Sequence, residues 1–176
     1  LGHDVEITKL DKPYRCTKQI MHFAEVLSGF KDDGRGELSP DGPPVDVIFS
    51  DTWEESAQAV VWEISNMVLS GERDPGSIAV LCTQYRNMFG MIGRLLELED
   101  IPFTQVGRPP YSQEVVAGSV TISTIHSAKG YEYEVVFLIG VDNLPYKRSE
   151  SEEEIESQRH LAYVGATRAK DHLYVM

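Results

Sequence analysis

Between two apolar, β-branched runs, residues 120–125 and 135–139, the chain places His126, Ser127, Ala128, Lys129 and Gly130. These residue types suit phosphate. His126 and Lys129 supply donors, Thr124 and Ser127 supply hydroxyls, and Gly130 permits a positive-φ turn or the close approach of a ligand. An ordinary polar turn has the same composition, so both alternatives stand at this level. A second candidate is the stretch from Tyr163 to Lys170, YVGATRAK. Gly165 is small enough to let another surface approach. Arg168 presents a fork of donors that a phosphate could accept. Arg168 and Lys170 would equally complement the carboxyl end of a helix dipole. The third candidate is Tyr14-Arg15 after Pro13. A ring beside a guanidinium can stack on a base and grip a phosphate; a packed tyrosine and a surface arginine are the alternative. Five of the seven residues 150–156 are Glu, which suits a solvated helix start or an acidic interaction site.

These residues need elements to position them. Residues 4–10 alternate through Val5 and Ile7 as a short strand, ended by Pro13. Thr17 caps a helix with Ile20, Phe23, Ala24 and Leu27 on one face. Residues 31–44, dense in Gly, Pro and Asp, form a surface loop, and residues 45–49 a strand. Thr52 and Glu55 make a capping-box pattern. The helix it opens carries Ala57, Val60, Val61, Ile64 and Val68 in one stripe and stops at Gly71. Residues 78–81 form an apolar strand. Met88, Ile92, Leu95 and Leu96 mark a helix that ends before Ile101-Pro102. Residues 103–106 are a brief strand, followed by a loop through Gly107, Pro109 and Pro110. After the strands of the opening stretch, a helix runs from residue 151 to about residue 169, and residues 172–176 close the chain as a strand. Strands alternate with helices, and several strands are apolar throughout. That pattern predicts a three-layer α/β/α domain with a mainly parallel sheet, whose ligands bind at the carboxyl ends of its strands.

A length of 176 residues suits one domain, with 41% hydrophobic and 25% charged residues. No apolar run reaches the roughly 18–20 residues that span a bilayer, so no membrane partner is expected. No signal peptide is visible, and the chain begins at Leu1 without Met. A piece of a longer protein, or a chain trimmed of a tag, is expected, with a cytoplasmic location. Cys16 and Cys82 are too few for a disulfide framework or a zinc site. Sixteen Lys and Arg against 28 Asp and Glu give a net charge of −12, which argues against strong nucleic-acid binding by this piece alone but leaves room for a local basic rim.

Together the three candidates carry a family resemblance. TISTIHSAKGYEYEVVFL resembles motif V of superfamily 1 helicases of the UvrD/Rep/PcrA type, and RHLAYVGATRAKDHLYV resembles their motif VI. LDKPYRCTKQIMHFA is similar to the segment written L-x-x-N-Y-R-S-T-x-x-I, and SIAVLCTQYRNMFGMIGRLLELEDIPFTQVG to the stretch between. The resemblance spans essentially the whole chain in the family's order. It implies that residues 1–176 are the second RecA-like motor domain of a larger protein. The chain has no G-x-x-x-x-G-K-[ST] phosphate loop and no strand ending in an Asp-Glu pair. Both belong, by resemblance, to the first motor domain, which would also hold most of the Mg2+.

By that resemblance the cofactor is ATP, and the partners are single-stranded DNA and the first motor domain. Tyr14 would stack on adenine and Arg15 reach the γ-phosphate. Gly130 and Glu132 would line the nucleotide site, Glu132 towards the ribose, and Arg168 would be the arginine finger. Thr124, His126 and Ser127 would face the DNA backbone, with His126 linking the two sites; Lys129 lies beside both. Pro13 stands where the family has Asn, Cys16 where it has Ser, Tyr131 where it has Leu, and Tyr133 where it has Trp or Phe. Between Gly107 and Val120 only the 12 residues 108–119 intervene, where unwinding members of the family insert an accessory domain. This suits translocation or ATP hydrolysis better than duplex unwinding. Two alternatives accompany the ATP-driven DNA helicase. One is a compact relative that remodels protein–nucleic acid complexes, such as stalled RNA polymerase, or acts with repair proteins. The other is a helicase-like module that binds partners without turnover.

Overall fold

The computed structural model describes residues 16–29, 39–83, 88–107, 111, 114–144 and 151–176. The strand expected over residues 4–10, the pair Tyr14-Arg15 and most of the loop over 31–44 lie outside the described residues. Among the described residues four α-helices are present: α1 (Lys18–Ser28), α2 (Trp53–Leu69), α3 (Met88–Leu98) and α4 (Glu152–Ala166). The capping signals work as the sequence predicts. The Thr17 hydroxyl accepts the Ile20 N–H at the start of α1. At the start of α2, Thr52 accepts the Glu55 N–H while Glu55 accepts the Thr52 N–H, both at 3.2 Å. At the start of α4, where the sequence expectation places Ser151 inside the helix, the Ser151 hydroxyl accepts the Glu154 N–H. Each cap satisfies amide groups that a first helical turn leaves without partners.

Six strands among the described residues form one sheet: β1 (Asp46–Val47), β2 (Ile78–Cys82), β3 (Phe103–Val106), β4 (Val120–Thr124), β5 (Tyr133–Ile139) and β6 (Ala169–Val175). Their order is β1-β6-β5-β2-β4-β3, and every pairing is parallel. The fully buried residues of β2 and β4 show why. Side chains alternate between the two faces of a strand, and here both faces are covered. Ile78, Val80, Ile122, Phe137 and Ile139 pack with α2 and α3. Ala79, Leu81, Val136, Leu138 and Leu173 pack with α1 and α4. The result is three layers, α/β/α. Among the described residues no helix is long and apolar enough to cross a membrane. Cys16 and Cys82 are buried free thiols, and burial pushes the Cys82 thiol up to about 12, which keeps it protonated and inert.

Three elements differ most in their bounds from the sequence expectation. The strand expected over 45–49 shortens to Asp46–Val47, because it lies at the sheet edge after Pro43-Pro44 and pairs with β6 alone. Helix α4 stops at Ala166, because the Thr167 hydroxyl donates to the carbonyls of Tyr163 and Val164 at 3.0 and 3.3 Å. β6 begins at Ala169 instead of His172, because the Tyr133 N–H donates to Arg168 O at 2.9 Å and draws the chain into the ladder. Arg168 therefore lies just past the helix.

Arg73, in the loop after α2, joins β5 to β6 from outside. Its Nη1 donates to Glu134 at 2.8 Å and to Asp171 at 3.0 Å. Burial lowers its pKa, but the two carboxylates raise it and prevail. Both carboxylates are about half exposed, so solvent screens the interaction. Arg73→Ala is expected to cost about 1–2 kcal/mol, because Glu134 and Asp171 are left facing each other. A fall in the urea midpoint at unchanged m-value checks it, and Arg73→Lys should lie between the two.

Candidate nucleotide and nucleic-acid site

The polar stretch after β4 is a crossover. Thr124 and Ile139 both pair with Cys82, so the ends of β4 and β5 lie at the same edge of the sheet. Tyr133 pairs with Ala169 at the opposite edge. Residues 125–132 must therefore run back from the carboxyl to the amino edge, with no helix to fill the return. Ile125 and Ala128 bury their side chains in the α1/α4 core as they go. Turn hydrogen bonds tighten the path: Ala128 N–H to Thr124 O at 3.1 Å and Tyr131 N–H to Ala128 O at 3.0 Å. Gly130 sits at φ +97°, where a side chain would be strained, and the space before its absent Cβ is open to 4 Å.

The crossover separates the sequence-predicted residues into two groups. Thr124, His126 and Ser127 stay near the carboxyl edge. Thr124 is 5% exposed; its hydroxyl donates to Ser127 Oγ at 3.1 Å and accepts the Ser127 N–H at 3.2 Å. Ser127 is half-buried, while His126 and Lys129 are exposed. A groove of about 280 Å³ opens here between the crossover and α4, lined by Ile125, His126, Lys129, His160, Leu161 and Val164 among others.

Gly130, Glu132 and Arg168 gather at the amino edge. Arg168 is 5% exposed. Its Nη1 donates to Tyr131 O at 3.3 Å and its Nε to Val164 O at 3.1 Å. The guanidinium thus links the crossover to the last turn of α4, and the helix-terminus role that Arg168's position suggests is realised in the bond to Val164. Burying a guanidinium is costly unless its donors are used, so these carbonyls hold the group in place. Lys170 does not serve the helix end. Its Nζ lies 3.7 Å from Glu132 and steadies that carboxylate. The Thr17 N–H donates to Lys170 O at 3.2 Å, so the chain two residues after Arg15 is tied to the same edge. Tyr14 and Arg15 themselves lie outside the described residues.

Two contributors escaped the sequence argument. The Lys170–Glu132 pair required the β5–β6 register, although Lys170 and Arg168 alternate as residues on one strand do. His160 lines the His126 groove from α4, one helical turn before Val164, and that i, i+4 spacing was the available signal. Gly165, expected to admit a foreign surface, admits the sheet instead. A Cβ there would lie 2.8 Å from Leu138 Cδ1 and 2.9 Å from Ile125 Cδ1. Among the described residues no group of three or more His, Cys, Asp or Glu is placed to hold a metal ion. The arrangement supplies a fixed cation, a steadied carboxylate and an open glycine turn. That set can bind and polarise a phosphorylated ligand, and it contains no nucleophile.

Residues 110–176 match the model of the UvrD-like helicase C-terminal domain. A probable DNA helicase II homolog of Rickettsia felis is 41% identical over 99 residues, 51% of this chain and 15% of that protein. The ATP-dependent DNA helicase PcrA of Bacillus subtilis is 50% identical over 60 residues, 32% of this chain and 8% of PcrA. The ATP-dependent DNA helicase UvrD1 of Mycobacterium tuberculosis is 47% identical over 62 residues, 34% of this chain and 8% of UvrD1. The matched segments thus span only 8–15% of these relatives. Among solved structures, the C-terminal domain of a possible DNA helicase from Lactobacillus plantarum WCFS1 superposes with a TM-score of 0.65. The match covers 93% of this chain and 86% of that one at 20% identity, and it shows a shared fold.

Proposed function

From the match of residues 110–176 to the UvrD-like helicase C-terminal domain, we propose that this chain is the second RecA-like motor domain of an ATP-dependent DNA helicase or translocase of superfamily 1. It would form one wall of an interdomain ATP site and part of a single-stranded DNA track, in the cytoplasm. The observation that carries the proposal is Arg168, a buried guanidinium held by Tyr131 O and Val164 O beside the Gly130 turn.

The residues fit a triphosphate. Gly130 leaves its backbone open to close approach, and Arg168 and Lys129 supply positive charge nearby. ATP supplies the phosphoryl group whose transfer to water drives such a motor. In this role Arg168 stabilises charge on the phosphoryl oxygens, pre-oriented by its carbonyl partners. Glu132, steadied by Lys170, accepts a hydrogen bond from a ribose hydroxyl. Tyr14 stacks on the adenine, and Arg15 reaches the γ-phosphate. The exposed His126, with Ser127 and Thr124 holding its turn, meets the nucleic-acid backbone and not the bases, because a stepping motor must hold every sequence. His126 and Gly130 sit on one short crossover, so a shift at the DNA end is transmitted to the nucleotide end. Mg2+ would be held mainly by the facing first motor domain.

A second reading is a partner-binding or complex-remodelling relative, and one observation favours it: the net charge of −12. ATP turnover separates the two. The chain alone is expected to hydrolyse no ATP, because it lacks a phosphate loop. The longer protein that joins it to a phosphate-loop domain should hydrolyse ATP with strong stimulation by single-stranded DNA. Turnover by the pure chain well above background would overturn the two-domain site, and a longer protein that binds DNA without turnover would favour the second reading.

A further inference from the structure

Among the described residues no strand pairs with β1 on the side away from β6, and its two residues are exposed. The Ile48 N–H reaches Val175 O at 2.9 Å. Successive residues of a strand direct their backbone groups to opposite sides, so Val47 and Phe49 turn theirs towards the edge away from β6. Beside that edge lies a groove of about 450 Å³, walled by Phe23 of α1 and Trp53 of α2, with Val175 and Met176 beneath. Phe49 is 90% exposed, Val47 48% and Trp53 38%. Single exposed apolar side chains are common on any protein, but three within seven residues around one groove mark a contact surface. Among the described residues, the charged ones lining the groove are Asp51 and Asp142, both carboxylates. The first turn of α2 adds Glu54 and Glu55.

We propose that the β1 edge docks an extended segment of a partner protein that adds a strand beside β1. One apolar or aromatic side chain of that segment enters the groove among Phe23, Phe49 and Trp53. Lys or Arg residues flanking it face Asp51 and Asp142. Three observations define this occupant. An open strand edge offers main-chain hydrogen bonds to an extended peptide. The aromatic groove takes one anchoring side chain, as interface hot spots do. The carboxylates attract a cationic segment and repel a phosphate backbone. None of Thr124, His126, Ser127, Gly130, Glu132 or Arg168 takes part, so the surface is independent of the proposed motor chemistry.

The test uses this chain with Trp62→Phe, so that Trp53 alone reports. The probe is a synthetic peptide alternating lysine with valine around one central phenylalanine. It should bind and shift the Trp53 emission. Phe49→Ser should weaken binding by about tenfold or more, with the thermal midpoint unchanged because Phe49 is exposed. Asp51→Asn with Asp142→Asn should weaken binding and flatten its salt dependence. The same peptide with glutamate for lysine should not bind. Any of four results overturns the proposal: no binding by the lysine peptide; equal binding by the glutamate peptide; an oligothymidylate that competes for the groove; or a dimer, seen by sedimentation, that Phe49→Ser dissolves.

Discussion

Replacing Arg168 by alanine is expected to lower kcat for DNA-stimulated ATP hydrolysis by about 10³-fold or more in the longer protein, with far less change in the KM for ATP. A cation that meets the phosphoryl group mainly as charge spreads over its oxygens affects the transition state more than the bound ground state. The structure adds a second consequence. Arg168 is 5% exposed and occupies the carbonyls of Tyr131 and Val164. Alanine leaves both without these bonds, a loss of about 1–3 kcal/mol in stability. The two effects separate experimentally. A folding loss reduces the number of active sites, which nucleotide titration counts, whereas loss of the proposed finger lowers turnover per site. Arg168→Lys keeps the charge but cannot span both carbonyls and a phosphate from one point, so it should restore little turnover. Near wild-type kcat in Arg168→Ala, at saturating ATP and DNA, would reduce Arg168 to a residue that ends α4.

Gly165→Leu is expected to destabilise the chain by about 3 kcal/mol or more, or to prevent folding. Even a Cβ would lie 2.8 Å from Leu138 and 2.9 Å from Ile125, and both side chains are fully buried. They have nowhere to go in a close-packed core, so α4 must lift from the sheet. Gly165→Ala is milder. Alanine gains about 0.5–1 kcal/mol of helix preference over glycine, which offsets part of the crowding. A net loss of about 1 kcal/mol is expected. Because Ile125 belongs to the crossover, a lifted α4 also moves Tyr131 O and Val164 O away from the guanidinium. Turnover should therefore fall in Gly165→Ala by more than its stability loss explains. Chemical denaturation of both variants checks the first claim. If leucine is accommodated with an unchanged midpoint, the close approach of α4 to the sheet is wrong.

The sequence by itself determined the layer architecture. Runs such as Ile78 to Cys82 are apolar at every position, and only a strand covered on both faces requires that. Capping chemistry is local, so Thr17 and Thr52 marked their helices correctly. The motifs around Thr124–Gly130 and Arg168 were legible as candidates because His, Lys, Arg and Gly stand out between apolar runs. Tertiary structure decided how they are arranged. That the crossover divides His126 from Glu132 follows from the β4–β2–β5 order, which depends on pairings between residues 42 and 57 apart in sequence. That Lys170 meets Glu132 depends on β5–β6 register. That Gly165 receives Ile125 and Leu138 depends on where α4 packs. Local composition encodes hydrogen-bonding and burial preferences residue by residue, whereas these contacts arise only when distant segments share one core.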